Sequence, residues 1–283
     1  MSSFTGGCDP WAIARRSPAA RPLQPFTAGA LARSVLEVIG TCEAFLSPSG
    51  VGAMDFPRLH LDPCEIALDL RSTRLFANLQ LPFGCRALVL VVHGGDTTRQ
   101  SVRDREVVQC FCGSGMGTLH LDLLTEDEEA EDAITQHLRY DVHLLAERLV
   151  DATDWVATDL QTSGLPIGYC GVGTGAAAAL VAAARRPTSV RAIVSRSGRP
   201  DLAGGWLYDV RAPTLMIVGS DDVAVLDFNE EAYASLRCER ELLVIPNAGH
   251  DFEETGTLAR ATEASSRWLA THLGTGTTPD LLH

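Results

Sequence analysis

Residues 171–175, Gly-Val-Gly-Thr-Gly, have the spacing of a G-x-S-x-G turn with glycine where the serine belongs. In that pattern a hydroxyl stands on a sharp bend between a buried strand and a helix, where it can attack a carbonyl. The flanks suit such a bend. Residues 165–170 (LPIGYC) read as a strand ending, and residues 176–184 (AAAALVAAA) as a helix of strong formers. Gly171 and Gly175 lack the Cβ that would hold strand and helix apart. Gly173, with no side chain, cannot form an acyl intermediate. Thr174 stands one residue into the helix, so its backbone N–H suits a donor role while its side chain points elsewhere. Cys170 reads as a packed core thiol.

Two more residues could supply acid–base chemistry. Residues 214–218 (TLMIV) form an apolar run that ends in Gly-Ser-Asp-Asp. Asp222 has the better spacing from that run, and Asp221 is the reserve. Residues 241–245 form the next run, followed by Pro-Asn-Ala-Gly-His and then Asp-Phe, which places His250 on a loop. An imidazole held by a carboxylate is a general base or acid. A fourth piece is Val-Val-His-Gly-Gly-Asp at 91–96. Gly94 and Gly95 could aim a backbone N–H at a developing oxyanion, with the N–H of Thr174 as second donor.

The elements that must position these groups alternate between strand and helix. Residues 66–70 and 75–81 alternate apolar and polar, and residues 87–92 are continuously apolar, as in a strand buried on both faces. Residues 118–124 and 190–195 read as further strands. Residues 137–161 read as one long amphipathic helix, and residues 257–272 as a closing helix. Such alternation predicts a mostly parallel sheet with right-handed crossovers. Ligand sites in open sheets of this kind form at the carboxyl edge. Residues 125–132 (TEDEEAED) read as a solvated acidic helix start. Residues 31–46 read as a helix after an arm rich in Pro, Ala and Arg.

With these pieces in order, residues 75–273 resemble the dienelactone hydrolase-like branch of the α/β-hydrolase superfamily. The stretches that carry the likeness are VLVVHGG, LDLLTEDEEAED, LRYDVHLLAERLVDATDW, GLPIGYCGVGTGAAAALVAAA, VSRSGRPDLAG, APTLMIVGSDD and IPNAGHDFEE. The resemblance implies an α/β-hydrolase fold, with a mostly parallel central sheet flanked by helices and no large cap domain. It also implies a Ser–Asp–His hydrolase of small esters or lactones. The acid and histidine roles carry over to Asp222 and His250. The nucleophile role does not, because Gly173 occupies its position. Asp96 departs from the small-residue pattern of the oxyanion turn. Residues 1–58 lie outside the likeness, which gives an N-terminal arm and helix (1–58), an α/β-hydrolase domain (59–274) and a C-terminal tail (275–283).

A site without the hydroxyl, but with Asp222, His250 and the two N–H groups, suits proton-transfer chemistry: elimination, cyclisation or isomerisation of an ester-, lactone- or polyketide-like molecule. The alternatives are ester or lactone hydrolysis, with water as nucleophile or with a serine removed by mutation, and a non-catalytic binding protein. Natural loss of the serine is the favoured origin. His93, Asp96, Arg139, Arg196 and Trp206 are candidate substrate contacts, with Arg199 beside Arg196. Ion pairing for the arginines and core packing for the tryptophan are the plainer roles.

A chain of 283 residues can bury one large core, and its net charge of −13 disfavours nucleic acid and anionic membranes as partners. The eight cysteines show no spaced framework, which suits free thiols in a reducing cytoplasm and gives no metal-ligand set. No apolar stretch approaches a membrane span, and no secretory leader is apparent. The expected partner is a small-molecule substrate, with a homodimer left open. No cofactor or metal is expected.

Overall fold

The computed structural model describes residues 63–95, 99 and 101–275. The expected helix at 31–46, the arm before it and the oxyanion-turn residue Asp96 lie outside the described residues.

The continuous apolar runs become the centre of the sheet. LVLVVH (β3, Leu88–His93) and TLMIVG (β7, Thr214–Gly219) are buried along their whole length. Between them run β5 (Ile167–Val172) and β6 (Val190–Arg196). The alternating segments become β1 (Cys64–Asp69) and β2 (Arg74–Gln80), which pair antiparallel at one edge. With β4 (Gly117–Asp122) and β8 (Arg240–Ile245) the order is β1-β2-β4-β3-β5-β6-β7-β8. Every pairing from β4 to β8 is parallel. The register sets Asp122, His93, Val172, Arg196 and Ile217 side by side at the carboxyl edge.

Helices cover both faces. The described helices are α1 (Val102–Gly113), α2 (Glu126–Thr135), α3 (Val142–Thr158), α4 (Thr174–Arg185), α5 (Val223–Ser235) and α6 (Thr257–Leu273). Leu88, Leu90 and Val92 join the core shared with α3 and α4, while Val89 and Val91 join the core shared with α1 and α6. The two-residue period of β3 thus feeds two separate apolar layers. No large cap stands over the sheet among the described residues. None of their helices is long and apolar enough to cross a membrane.

The segment 137–161 is not one helix. A short 3-10 turn (Leu138–Tyr140) precedes α3, and Asp141 (φ −78°, ψ 77°) breaks the helical path while its side chain caps Leu144 N. The acidic run does start a helix, through a capping box between Thr125 and Glu128. It is less solvated than its composition suggests. Asp132 is buried and accepts from the backbone of Leu138 and Arg139 and from Arg139 Nε.

Glu128 also takes both ends of the buried Arg148 guanidinium, at 2.6 Å each. That bond holds its carboxyl down to about 2. A depressed carboxylate stabilises the fold above its unfolded value of 4.5 and loses that stabilisation as pH falls through the folded value. Glu128→Gln should therefore cost about 2 kcal/mol at pH 6 and much less near pH 2.5. Urea unfolding at the two pH values checks this, and an equal cost at both would contradict it.

Candidate active site

The bend after β5 is built from backbone proximity. Gly173 caps α4 at φ 56°, ψ −127°, a conformation that side-chain-bearing residues enter only with strain. A Cβ on Gly171 would stand 2.5 Å from Ala176 Cα, and one on Gly175 would stand 2.6 Å from the Val92 carbonyl oxygen. The expected close approach of strand and helix is thus real, and it includes the end of β3. There the His-Gly-Gly turn meets the start of α4, since a Cβ on Gly94 would collide with Thr174 Oγ1. Thr174 is buried, and its hydroxyl has no hydrogen-bond partner among the described residues. Cys170 is fully buried, and burial pushes its thiol up to about 11, so it is an inert core thiol.

The acid and the histidine meet through two laced loops. Behind β7 and β8, Ser220 N donates to Ile245 O, Asp221 N donates to Ala248 O at 2.9 Å, and Asn247 N donates to Ser220 Oγ. Gly219 is packed so tightly that a Cβ there would collide with the Ala248 carbonyl oxygen. Asp222 caps α5 without a side-chain capping bond. Its carboxylate instead stands 2.6 Å from His250 Nδ1. Asp221 accepts from Ser220 Oγ, so Asp222 is the partner of the histidine. His250 is partly exposed, which leaves its ring accessible, and its main-chain carbonyl accepts from Ser197 Oγ at 2.5 Å. Three of the four non-glycine residues with positive φ among the described residues, Ser197, Asn247 and Phe252, flank this loop. Such concentration of strain marks functional sites.

The candidate substrate contacts separate into different settings. His93 is fully buried, with its Nε2 2.9 Å from His120 Nε2 and 3.7 Å from Asp104 Oδ2. Asp104 also pairs with Arg196 Nη2. Burial works against the charge of Asp104, yet His93 and Arg196 hold its carboxyl below the ordinary range. Burial and the neighbouring His93 take His120 down to about 3. Arg139 is bound by Asp132 and Arg199 by Asp201. Trp206 packs against the core. Among the described candidates, Arg196 alone lines a cavity of about 50 Å³ with His250, which Val172, Asp104 and Ser197 also line. A larger cavity, about 540 Å³, lies beside Phe76, Leu124, Arg99, Asp122 and Glu129, away from the His–Asp pair. The smaller one is the cavity that His250, bonded to Asp222, lines. Sequence reasoning missed Asp104, His120 and Ser197. Only His120, polar in an otherwise apolar strand, carried a signal.

No protein-family model matches the chain. A solved dienelactone hydrolase from Anabaena variabilis is 44% identical, with a TM-score of 0.72 over 75% of this chain and 99% of that one. The chain belongs to the dienelactone hydrolase-like family. The family's α/β-hydrolase fold extends to remote structures such as Est1E from Butyrivibrio proteoclasticus, 14% identical with a TM-score of 0.59 over 74% of this chain and 99% of that one. A Mycobacterium tuberculosis protein with the provisional name phosphoribosyl transferase is 46% identical over 196 residues, 69% of this chain. That match spans 43% of the relative, less than half its length. Among the described residues no group of three acidic, histidine or cysteine side chains could hold a metal.

Gly219→Ala should shift the β7 and β8 loops apart and cost about 1–3 kcal/mol, as overpacking does. Chemical denaturation measures the loss. A variant as stable as the parent would contradict the packing described here.

Proposed function

We propose that this chain hydrolyses a small ester or lactone, with His250 activating water in place of a serine nucleophile. The 2.6 Å Asp222–His250 bond carries this reading. Asp222 fixes the imidazole tautomer and stabilises the imidazolium that forms, and the free ring nitrogen takes a proton from water. The N–H groups of Thr174 and the Gly94–Gly95 turn receive the oxyanion. In this reading Gly173 is a serine position that lost its hydroxyl, and its backbone keeps the bend that a serine would need.

Membership of a family with a 44%-identical dienelactone hydrolase favours hydrolysis over the elimination and cyclisation chemistry that the same His–Asp pair would allow. Phosphoribosyl transfer is the weaker reading. The relative that bears that name has more than half its length outside the match. His250 has no role in that reading.

The test is turnover of 4-nitrophenyl acetate and dihydrocoumarin by the parent chain, His250→Ala and Asp222→Asn. His250→Ala should lose about 10²-fold or more in kcat/KM, the usual share of a general base, and Asp222→Asn should lose a similar factor. Equal turnover by the parent and His250→Ala would overturn the assignment.

A further inference from the structure

Residues 197–199 turn off the end of β6 and touch every part of the site. Ser197 N donates to Ile217 O near the end of β7, and Arg199 N donates to the carbonyl oxygen of Gly173 at the bend. The Gly198 carbonyl accepts from Nδ2 of the fully buried Asn229, on the helix α5 that Asp222 caps. A Cβ on Gly198 would stand 2.5 Å from Ala176 Cβ, so the turn also lies on the start of α4. The Ser197 hydroxyl donates to the main-chain carbonyl of His250. Among the described residues no other hydrogen bond reaches the His250 main chain. Ser197 is buried and holds φ at 43°, in the left-handed region where a residue with a side chain is strained. Glycine would occupy that backbone without strain, so what the side chain adds is its bond to the His250 loop.

We infer that Ser197 is a positioning residue for His250: its hydroxyl tethers the histidine loop to the turn that also holds the bend. The inference deepens the hydrolytic reading above and rests on it for its effect on turnover. The 2.6 Å bond to Asp222 fixes the imidazole at Nδ1. A ring held only there still swings as its loop shifts. The second tether, at the backbone carbonyl, sets where the ring pivots. Residues 197–199 are bonded to Gly173, to Asn229 and to His250 alike, so one short turn sets the spacing of the bend, the acid's helix and the base. Misplacing a catalytic group by ~1 Å can cost about 10²-fold in rate, which is the scale such a tether controls. The Ser197 hydroxyl is spent on the carbonyl, so it acts through His250 rather than on the substrate.

Two variants separate the hydroxyl from the backbone strain. Ser197→Gly loses the hydroxyl and relaxes φ, whereas Ser197→Ala loses the hydroxyl and keeps the strain. Both should lower kcat for 4-nitrophenyl acetate about tenfold, with KM little changed. Both should speed amide hydrogen exchange over residues 246–253 at least about fivefold relative to the rest of the chain. The urea midpoint should hold in Ser197→Gly, where relief of strain offsets the lost bond, and fall in Ser197→Ala. Unchanged exchange over 246–253 overturns the tether. Exchange that rises throughout the chain, with a lower midpoint in Ser197→Gly, makes Ser197 a structural residue and overturns the inference too. Faster local exchange with unchanged kcat overturns the positioning role. If Ser197→Ala fails to fold, Ser197→Gly decides alone. A parent chain no faster than His250→Ala overturns the hydrolytic reading instead, and exchange over 246–253 then decides the tether by itself.

Discussion

The structure depends on how closely β5 and α4 are allowed to approach. A Cβ at 171 would push the end of β5 off Ala176 of α4, and one at 175 would push α4 off Val92 of β3. The His-Gly-Gly turn would then lose its seat against Thr174, because Gly94 lies on that residue. The bend at Gly173 follows from the same approach. Its φ of 56° strains any residue with a side chain, typically by about 1–3 kcal/mol. Glycine avoids that strain.

A second constraint lies beneath the site. Asp104 on α1 and Arg196 on β6 are 92 positions apart and form an ion pair away from solvent. His93 of β3 and His120 of β4 extend it into a polar cluster under the carboxyl edge. A buried pair of this kind contributes little net stability, but removing one partner strands a charge at a cost of about 3–5 kcal/mol. Its use is geometric. It fixes which way the guanidinium points, and through His93 it ties the end of β3 to the end of β6, which shares a cavity with His250.

The local parts of this fold and site were legible in the sequence. Apolar runs of strand length gave β3 and β7 to within a residue, because a strand buried on both faces has no polar face to show, and a shorter apolar run gave the edge strand β8, of which only Ile245 is buried. The places of Gly173, Asp222 and His250 followed from the apolar runs of β5, β7 and β8 that precede them. What the sequence did not reveal depends on long-range pairing. Asp104 sits in a polar stretch, VRDREVVQCFCG, that reads as surface, and only the fold brings it to Arg196. Arg139 was a candidate substrate contact with ion pairing as its plainer role, and Asp132 supplies that pairing across the turn of Leu138–Tyr140, a partner the sequence did not single out. The break at Asp141 was hidden because the apolar periodicity continues on both sides of it.

The most direct test restores the hydroxyl. Gly173→Ser, treated with a fluorophosphonate and mapped by mass spectrometry beside the parent chain, reports whether the bend, His250 and the oxyanion donors point at one place. The account predicts that the variant labels at residue 173, that the parent does not, and that the variant is less stable by about 1–3 kcal/mol from backbone strain. A folded Gly173→Ser variant that stays unlabelled would contradict it, because a serine on that bend would then have no base or donors in reach.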